Sequence, residues 1–188
     1  LRTRRQRQMC IRDRSLAFEI LSDKKTHPNA SVRCNLINEL SKASGATGMV
    51  GGQMLDLDAE KKKLSLSEIL MLQKLKTGEL FRFSCVAGPI LSEEKDLKHF
   101  EEFANNLGLA FQIKDDLLDI EGDEKQMGKK TKKDFSRGKE TLISYLGKED
   151  AKKKSEDLIK DSKEILKFYG KRANRVIDLT NFVISRNN

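Results

Sequence analysis

The stretch Phe111-Gln112-Ile113-Lys114-Asp115-Asp116-Leu117-Leu118-Asp119 decides how this chain is read. Leu107, Leu109 and Ala110 precede it, and the apolar residues recur at helical spacing, so it reads as a substantially buried helix. Three carboxylates within five residues repel one another on such a helix, and carboxylates taken out of water need partners. At about 100° per residue, Asp115 and Asp119 fall about 40° apart on one face, with Asp116 to the side. That geometry offers hard oxygen ligands to a divalent cation such as Mg²⁺, which takes one or two protein carboxylates and fills its octahedron with water and phosphate oxygens. The expected ligand is therefore phosphorylated. A lone DDxxD proves little, because acidic pairs on solvated helix faces are common. Context decides.

Downstream come Gly128-Lys129-Lys130, Asp134 and Gly138-Lys139, a glycine-punctuated basic segment suited to holding diphosphate oxygens by point charge. Upstream stands Lys76-Thr77-Gly78, another lysine beside a hydroxyl. Taken singly, each lysine reads equally well as a surface charge. A calcium loop starting at Asp119 is rejected, because Ile120 and Glu121 break the acidic spacing that it requires.

Taken in order, Gly51-Gly52-Gln53 with Asp56-Leu57-Asp58, Lys76-Thr77-Gly78, Phe111-Gln112 running into the DDxxD, Gly122-Asp123, Gly128-Lys129, Asp134 and Gly138-Lys139 with Thr141 form a combination more specific than any one motif. The chain resembles the trans-isoprenyl diphosphate synthases, or polyprenyl synthetases, most closely their bacterial farnesyl diphosphate synthase branch. The resemblance covers residues 15–188, the second part of the family's chain. It implies an all-α, isoprenoid synthase-type helical bundle whose N-terminal helices are missing. It also implies a prenyltransferase that condenses an allylic diphosphate with isopentenyl diphosphate into a short-chain product such as farnesyl diphosphate, with Mg²⁺ as cofactor and a homodimer as the assembly. By the resemblance, Asp115, Asp116 and Asp119 serve the metal, while Lys76, Lys129 and Lys139 contact diphosphate. Thr77 and Gln112 are placed beside the allylic cation, so Lys76, Thr77 and Gln112 are the catalytic candidates; the bland alternative for the last two is a satisfied core hydrogen bond. Gln53 and Asp56 recur at this spacing and either support the site from behind or join two helices. A class I terpene cyclase shares the acidic motif but is less similar at Lys76-Thr77, Gln112 and Gly128-Lys129.

The family carries two aspartate-rich motifs on facing helices, and no second DDxxD occurs in these 188 residues. Residues 1–14 match nothing in the family and read as a non-native leader, leaving 15–188 as the C-terminal part of one polyprenyl synthetase domain. The expectation is a half-encoded catalytic constellation, inactive alone. The alternative is a non-catalytic helical partner subunit of a prenyl synthase, whose half-site serves dimerisation or regulation.

Composition agrees with one helical domain. The chain is 37% hydrophobic and 35% charged, with a net charge of +8. Residues 1–14 hold six arginines against one aspartate, so most of that charge belongs to the first segment and nucleic acid is not an expected partner. Cys10, Cys34 and Cys85 are odd in number and widely spaced, which argues against a disulfide framework and for the cytoplasm. The uncharged stretch 43–55 is too short and glycine-rich to span a bilayer, so no membrane anchor is expected.

A helix remnant is expected at 15–21, and a helical face from Val32 is expected to continue toward Asp58 through Gly45, Gly48, Gly51 and Gly52. Each glycine costs a helix about 1 kcal/mol relative to alanine, which suggests close approach of a neighbouring helix or a ligand. Ser65-x-x-Glu68 reads as a capping box, and Ser92 with Glu93 and Glu94 as the N-cap of the helix bearing Asp115. Residues 123–138 read as a polar loop, and 139–188 as three helical stretches broken near Gly147 and Gly170.

Overall fold

Helices form wherever the apolar period and the caps agree, and no strand occurs among the described residues. The computed structural model describes residues 2–59, 62–121 and 141–186. Lys129, Asp134, Gly138 and Lys139, expected to form the basic segment, lie outside the described residues. In chain order the helices are α1 (Arg2–Ser22), α2 (Ala30–Ser44), α3 (Met49–Asp58), α4 (Leu66–Gln73), α5 (Glu79–Leu91), α6 (Lys98–Glu121), α7 (Leu142–Leu146), α8 (Lys148–Leu166) and α9 (Asn174–Ser185). A π-helical turn, Lys74–Gly78, joins α4 to α5, and a 3₁₀ segment, Lys167–Ala173, joins α8 to α9.

The punctuation is local chemistry. The Asn29 side chain accepts from the Ser31 amide at 2.9 Å to open α2, and Ser65 with Glu68 forms the expected capping box of α4. The Ser65 amide, its hydroxyl and Lys62 together hold the Glu68 carboxyl down at about 2. Gly147 and Gly170 turn the chain at φ 79° and 54°, conformations that favour glycine, at the two expected breaks.

Three expectations are corrected. Ser92 does not start the DDxxD helix; it closes α5, its amide bonding to the Gly88 and Pro89 carbonyls while Glu93 reverses the chain at φ 54°. α6 opens six residues later, where the Asp96 carboxylate accepts from the Lys98 amide at 3.0 Å. The face from Val32 does not run unbroken to Asp58. It stops at Ser44, and the chain turns through Gly45 and Gly48 before α3. The first helix is not confined to 15–21, for α1 reaches back to Arg2 through residues that favour helix.

α6 lies at the centre, packed along α8 and against α5, α9 and the π turn. Phe103, Leu107, Ala110, Ile113 and Leu117 of α6 join Leu158, Ile159 and Leu166 of α8 in the main core. Full burial of a side chain such as Ile113 or Ile159 stabilises the fold by about 1.5–3 kcal/mol each. A smaller cluster of Val32, Leu36, Val86 and Ile90 joins α2 to α5. Arg82 of α5 pins that junction by donating to Glu39 of α2 at 2.7 Å, Glu79 at 3.0 Å and Glu101 of α6 at 3.3 Å. Burial alone would raise the Glu39 carboxyl, but Arg82 and then Lys42 outweigh it and hold it below the usual range. The frame that carries the DDxxD is thus fixed on both sides.

Candidate active site

Two groups of functional side chains emerge, one on the α3/π-turn junction and one on the exposed edge of α6. The first depends on Gly52. A Cβ there would sit 2.3 Å from the Lys76 amide nitrogen, so α3 and the π turn touch backbone to backbone. This is the close approach of a neighbouring helix that the glycine-rich run implies. Asp56 is four residues beyond Gly52 on the same face of α3, and its carboxylate accepts from Lys76 Nζ at 2.8 Å. That bond joins α3 to the π turn and engages the Lys76 ammonium. Gln53 is exposed and makes no side-chain hydrogen bond among the described residues.

The π turn itself spreads directions. Single π turns recur at functional sites, and here Gln73 reaches α6 while Lys76 reaches α3. Thr77, on the same turn, and Gln112, on α6, are both half-buried. Neither side chain makes a hydrogen bond among the described residues.

On α6 the burial follows the expected period. Ile113, Leu117 and Leu118 are buried, while Asp115, Asp116 and Asp119 occupy the half-exposed edge. Arg186, just past α9, donates to the Asp115 carboxylate and to the Phe111 carbonyl at 3.2 Å. Its guanidinium lies 3.9 Å from the centre of the Phe111 ring, a placement favourable by about 0.5–2 kcal/mol. The ring is set from behind by Phe81, 5.1 Å away. Asp116 accepts from Gln73 Nε2 at 3.4 Å. Asp119 has no ion-pair or hydrogen-bond partner among the described residues.

No three His, Cys, Asp or Glu side chains converge on a common point among the described residues. The three carboxylates are half-exposed on α6, with Asp115 bonded to Arg186 and Asp116 to Gln73. Carboxylate oxygens are the hard donors that Mg²⁺ prefers, and one or two of them suffice beside water and phosphate. The negative charge of Asp115 is answered here by Arg186. Sequence reasoning missed Arg186 and Gln73. Arg186 is remote in sequence, and Gln73 sits between Leu72 and Lys74 with no local pattern to mark it.

An all-α bundle with carboxylates along one central helix and a lysine-bearing turn beside it defines an isoprenoid synthase-type fold. The chain aligns at a TM-score of 0.80 and 39% identity with an FPP/GFPP synthase from Zymomonas mobilis, covering 90% of this chain and 57% of that one. It aligns at 0.73 and 29% with a geranyltransferase from Helicobacter pylori solved with magnesium and isoprenyl diphosphate, covering 90% and 56%. The polyprenyl synthetase family profile matches residues 14–180. Farnesyl diphosphate synthase of Escherichia coli is 39% identical over 181 residues, spanning 92% of this chain and 60% of that protein. Geranylgeranyl diphosphate synthase of Cyanophora paradoxa is 34% identical over 175 residues, spanning 92% and 58%. The chain belongs to the polyprenyl synthetase family, and spans at most about 60% of the length of these relatives.

Proposed function

We propose that these residues supply the allylic-diphosphate half of a Mg²⁺-dependent prenyltransferase that joins an allylic diphosphate to isopentenyl diphosphate, giving a short-chain product such as farnesyl diphosphate. One observation carries the reading: the Lys76-Thr77 turn is packed against the carboxylate helix and tied to it through Gln73 and Asp116. Relatives named farnesyl and geranylgeranyl diphosphate synthases support the substrate class, and the Helicobacter pylori complex supports the metal.

In this reading the allylic C–O bond breaks heterolytically, its electron pair leaving with diphosphate. The isopentenyl double bond then attacks the allylic cation, and the resulting cation loses a proton to diphosphate. Bound Mg²⁺ supplies neutralisation of the charge that grows on the leaving diphosphate. Asp115 and Asp119 would hold the metal directly and Asp116 through water. Lys76 would turn from Asp56 toward diphosphate, joined by Lys129 and Lys139. Thr77 and Gln112 would present neutral oxygens to the cation, stabilising it without trapping it as a carboxylate would. Apolar side chains left exposed on α3, Val50, Met54, Leu55 and Leu57, suit burial against further helix, including a second copy of the chain. The free cysteines Cys34 and Cys85 suit a cytoplasmic setting.

The test is calorimetric titration of this chain with Mg²⁺ and inorganic pyrophosphate, beside prenyl-transfer assays of a chain that also carries a first aspartate-rich motif. Asp119→Ala is expected to abolish the calorimetric signal and to lower turnover by at least about a hundredfold, the scale of losing one electrostatic stabiliser. Turnover by Asp119→Ala equal to the parent refutes the site, and prenyl transfer by the 188 residues alone refutes the half-site reading.

A further inference from the structure

Gln73 is an uncommon residue for its position. Glutamine is mostly exposed in folded proteins, yet Gln73, the last residue of α4, is only 7% exposed. Its Nε2 donates to Asp116 Oδ2 at 3.4 Å, and its Oε1 is buried with no hydrogen-bond partner. The orientation of the amide follows from chemistry, because an ionised carboxylate only accepts, so the NH₂ must face Asp116 and the oxygen must face away. The side chain lines a cavity of about 310 Å³ with Lys74, Gly78, Asn105 and Gly108. Gly78 and Gly108 line the same space, and a Cβ on Gly108 would meet the Gly78 Cα at 3.5 Å, an ordinary contact distance. An orphaned buried acceptor costs about 1–3 kcal/mol.

We propose that Gln73 is a positioning residue for the metal motif: its amide NH₂ donates to Asp116 and holds that carboxylate at the correct angle. The proposal rests on the reading of Asp115, Asp116 and Asp119 as the cation site. Asp116 lies to the side of the Asp115/Asp119 pair, so it acts through water and depends on a second group to aim it. Partners of this kind, standing behind the ligands, typically change metal affinity by about 10–100-fold when removed. The π turn explains the placement, since it lets Gln73 point to α6 while Lys76, three residues on, points to α3.

The test is Mn²⁺ binding to the 188-residue chain, followed by the loss of the free-ion electron paramagnetic resonance signal, with Mg²⁺ as competitor. Gln73→Met keeps length and burial but removes the amide; Gln73→Asn keeps the amide but falls short of Asp116. Both are expected to weaken Mn²⁺ about tenfold or more, while Gln73→Met keeps its melting temperature within a few degrees. The same Gln73→Met change made in an Asp116→Asn background is expected to have no further effect, as coupling through one contact requires. Mn²⁺ affinity within twofold of the parent in either single variant overturns the proposal, as does an undiminished loss in the Asp116→Asn background. A parent chain whose Mn²⁺ uptake is nil, or untouched by Asp115→Asn and Asp119→Asn, instead removes the cation site itself and the proposal with it.

Discussion

The α3/π-turn junction and the α6 edge both hold an ion pair, but they are built in opposite ways. In the first, a lysine expected to face diphosphate is held by Asp56 at 2.8 Å, and the two helices behind the pair are in backbone contact at Gly52. In the second, a carboxylate expected to face a metal is held by Arg186, which lies beyond the end of α9 in extended conformation. One pair is framed by helix interiors on both sides. The other joins a helix to a residue that caps the end of α9. In both, charge is neutralised internally; the first pair stands on a backbone contact, the second on one arginine that also bonds the Phe111 carbonyl.

The largest expected effect falls on the framed pair. Gly52→Val places a side chain against the Lys76 backbone, where only helix displacement makes room. Overpacking of this kind costs about 1–3 kcal/mol or more, readable in urea denaturation. A variant as stable as the parent would show that α3 and the π turn are not in backbone contact, and would break the contrast.

Next comes the Arg186–Asp115 pair. Arg186→Gln is expected to raise Mn²⁺ affinity about three- to tenfold by freeing Asp115, roughly the 1 kcal/mol of a partly exposed pair. Its stability loss should be smaller than that of Gly52→Val. Weaker Mn²⁺ binding instead would mean that Arg186 assists the metal rather than standing in for it.

The smallest effect concerns the cap that starts α4 and so sets the framed side. Glu68 is held at about 2 against an ordinary 4.5. A carboxyl lowered on folding contributes stability above its unfolded value and loses that contribution as pH falls through its folded one. The stability gap between parent and Glu68→Gln should therefore be full at pH 7, shrink from about pH 4.5 downward, and vanish below about pH 2. A gap unchanged from pH 7 to below 2, in acid denaturation followed by circular dichroism, would show that Glu68 caps by shape rather than by charge.

Ser65, Glu68, Gly147 and Gly170 were legible in the sequence because capping and left-handed turns are decided by a few adjacent residues. Ser92 was not, since its amide is taken by carbonyls of the helix behind it, and the sequence pattern of an N-cap is silent about that competition. The glycines of α3 signalled a close approach without naming its partner. That partner was the Lys76 backbone, 24 residues further along the chain.

By itself the sequence determined the helical class, the apolar stripe of α6 and the set of three carboxylates at its edge, because periodicity and composition act within a few turns of one helix. It determined the family as well, because motif order survives in a linear string. The tertiary structure alone decided which polar groups meet: Asp56 with Lys76, Arg186 with Asp115, Gln73 with Asp116. Those pairs span 20, 71 and 43 residues. Electrostatics and hydrogen bonding depend on distance in space, and that distance is set only once α6 is packed among its neighbours.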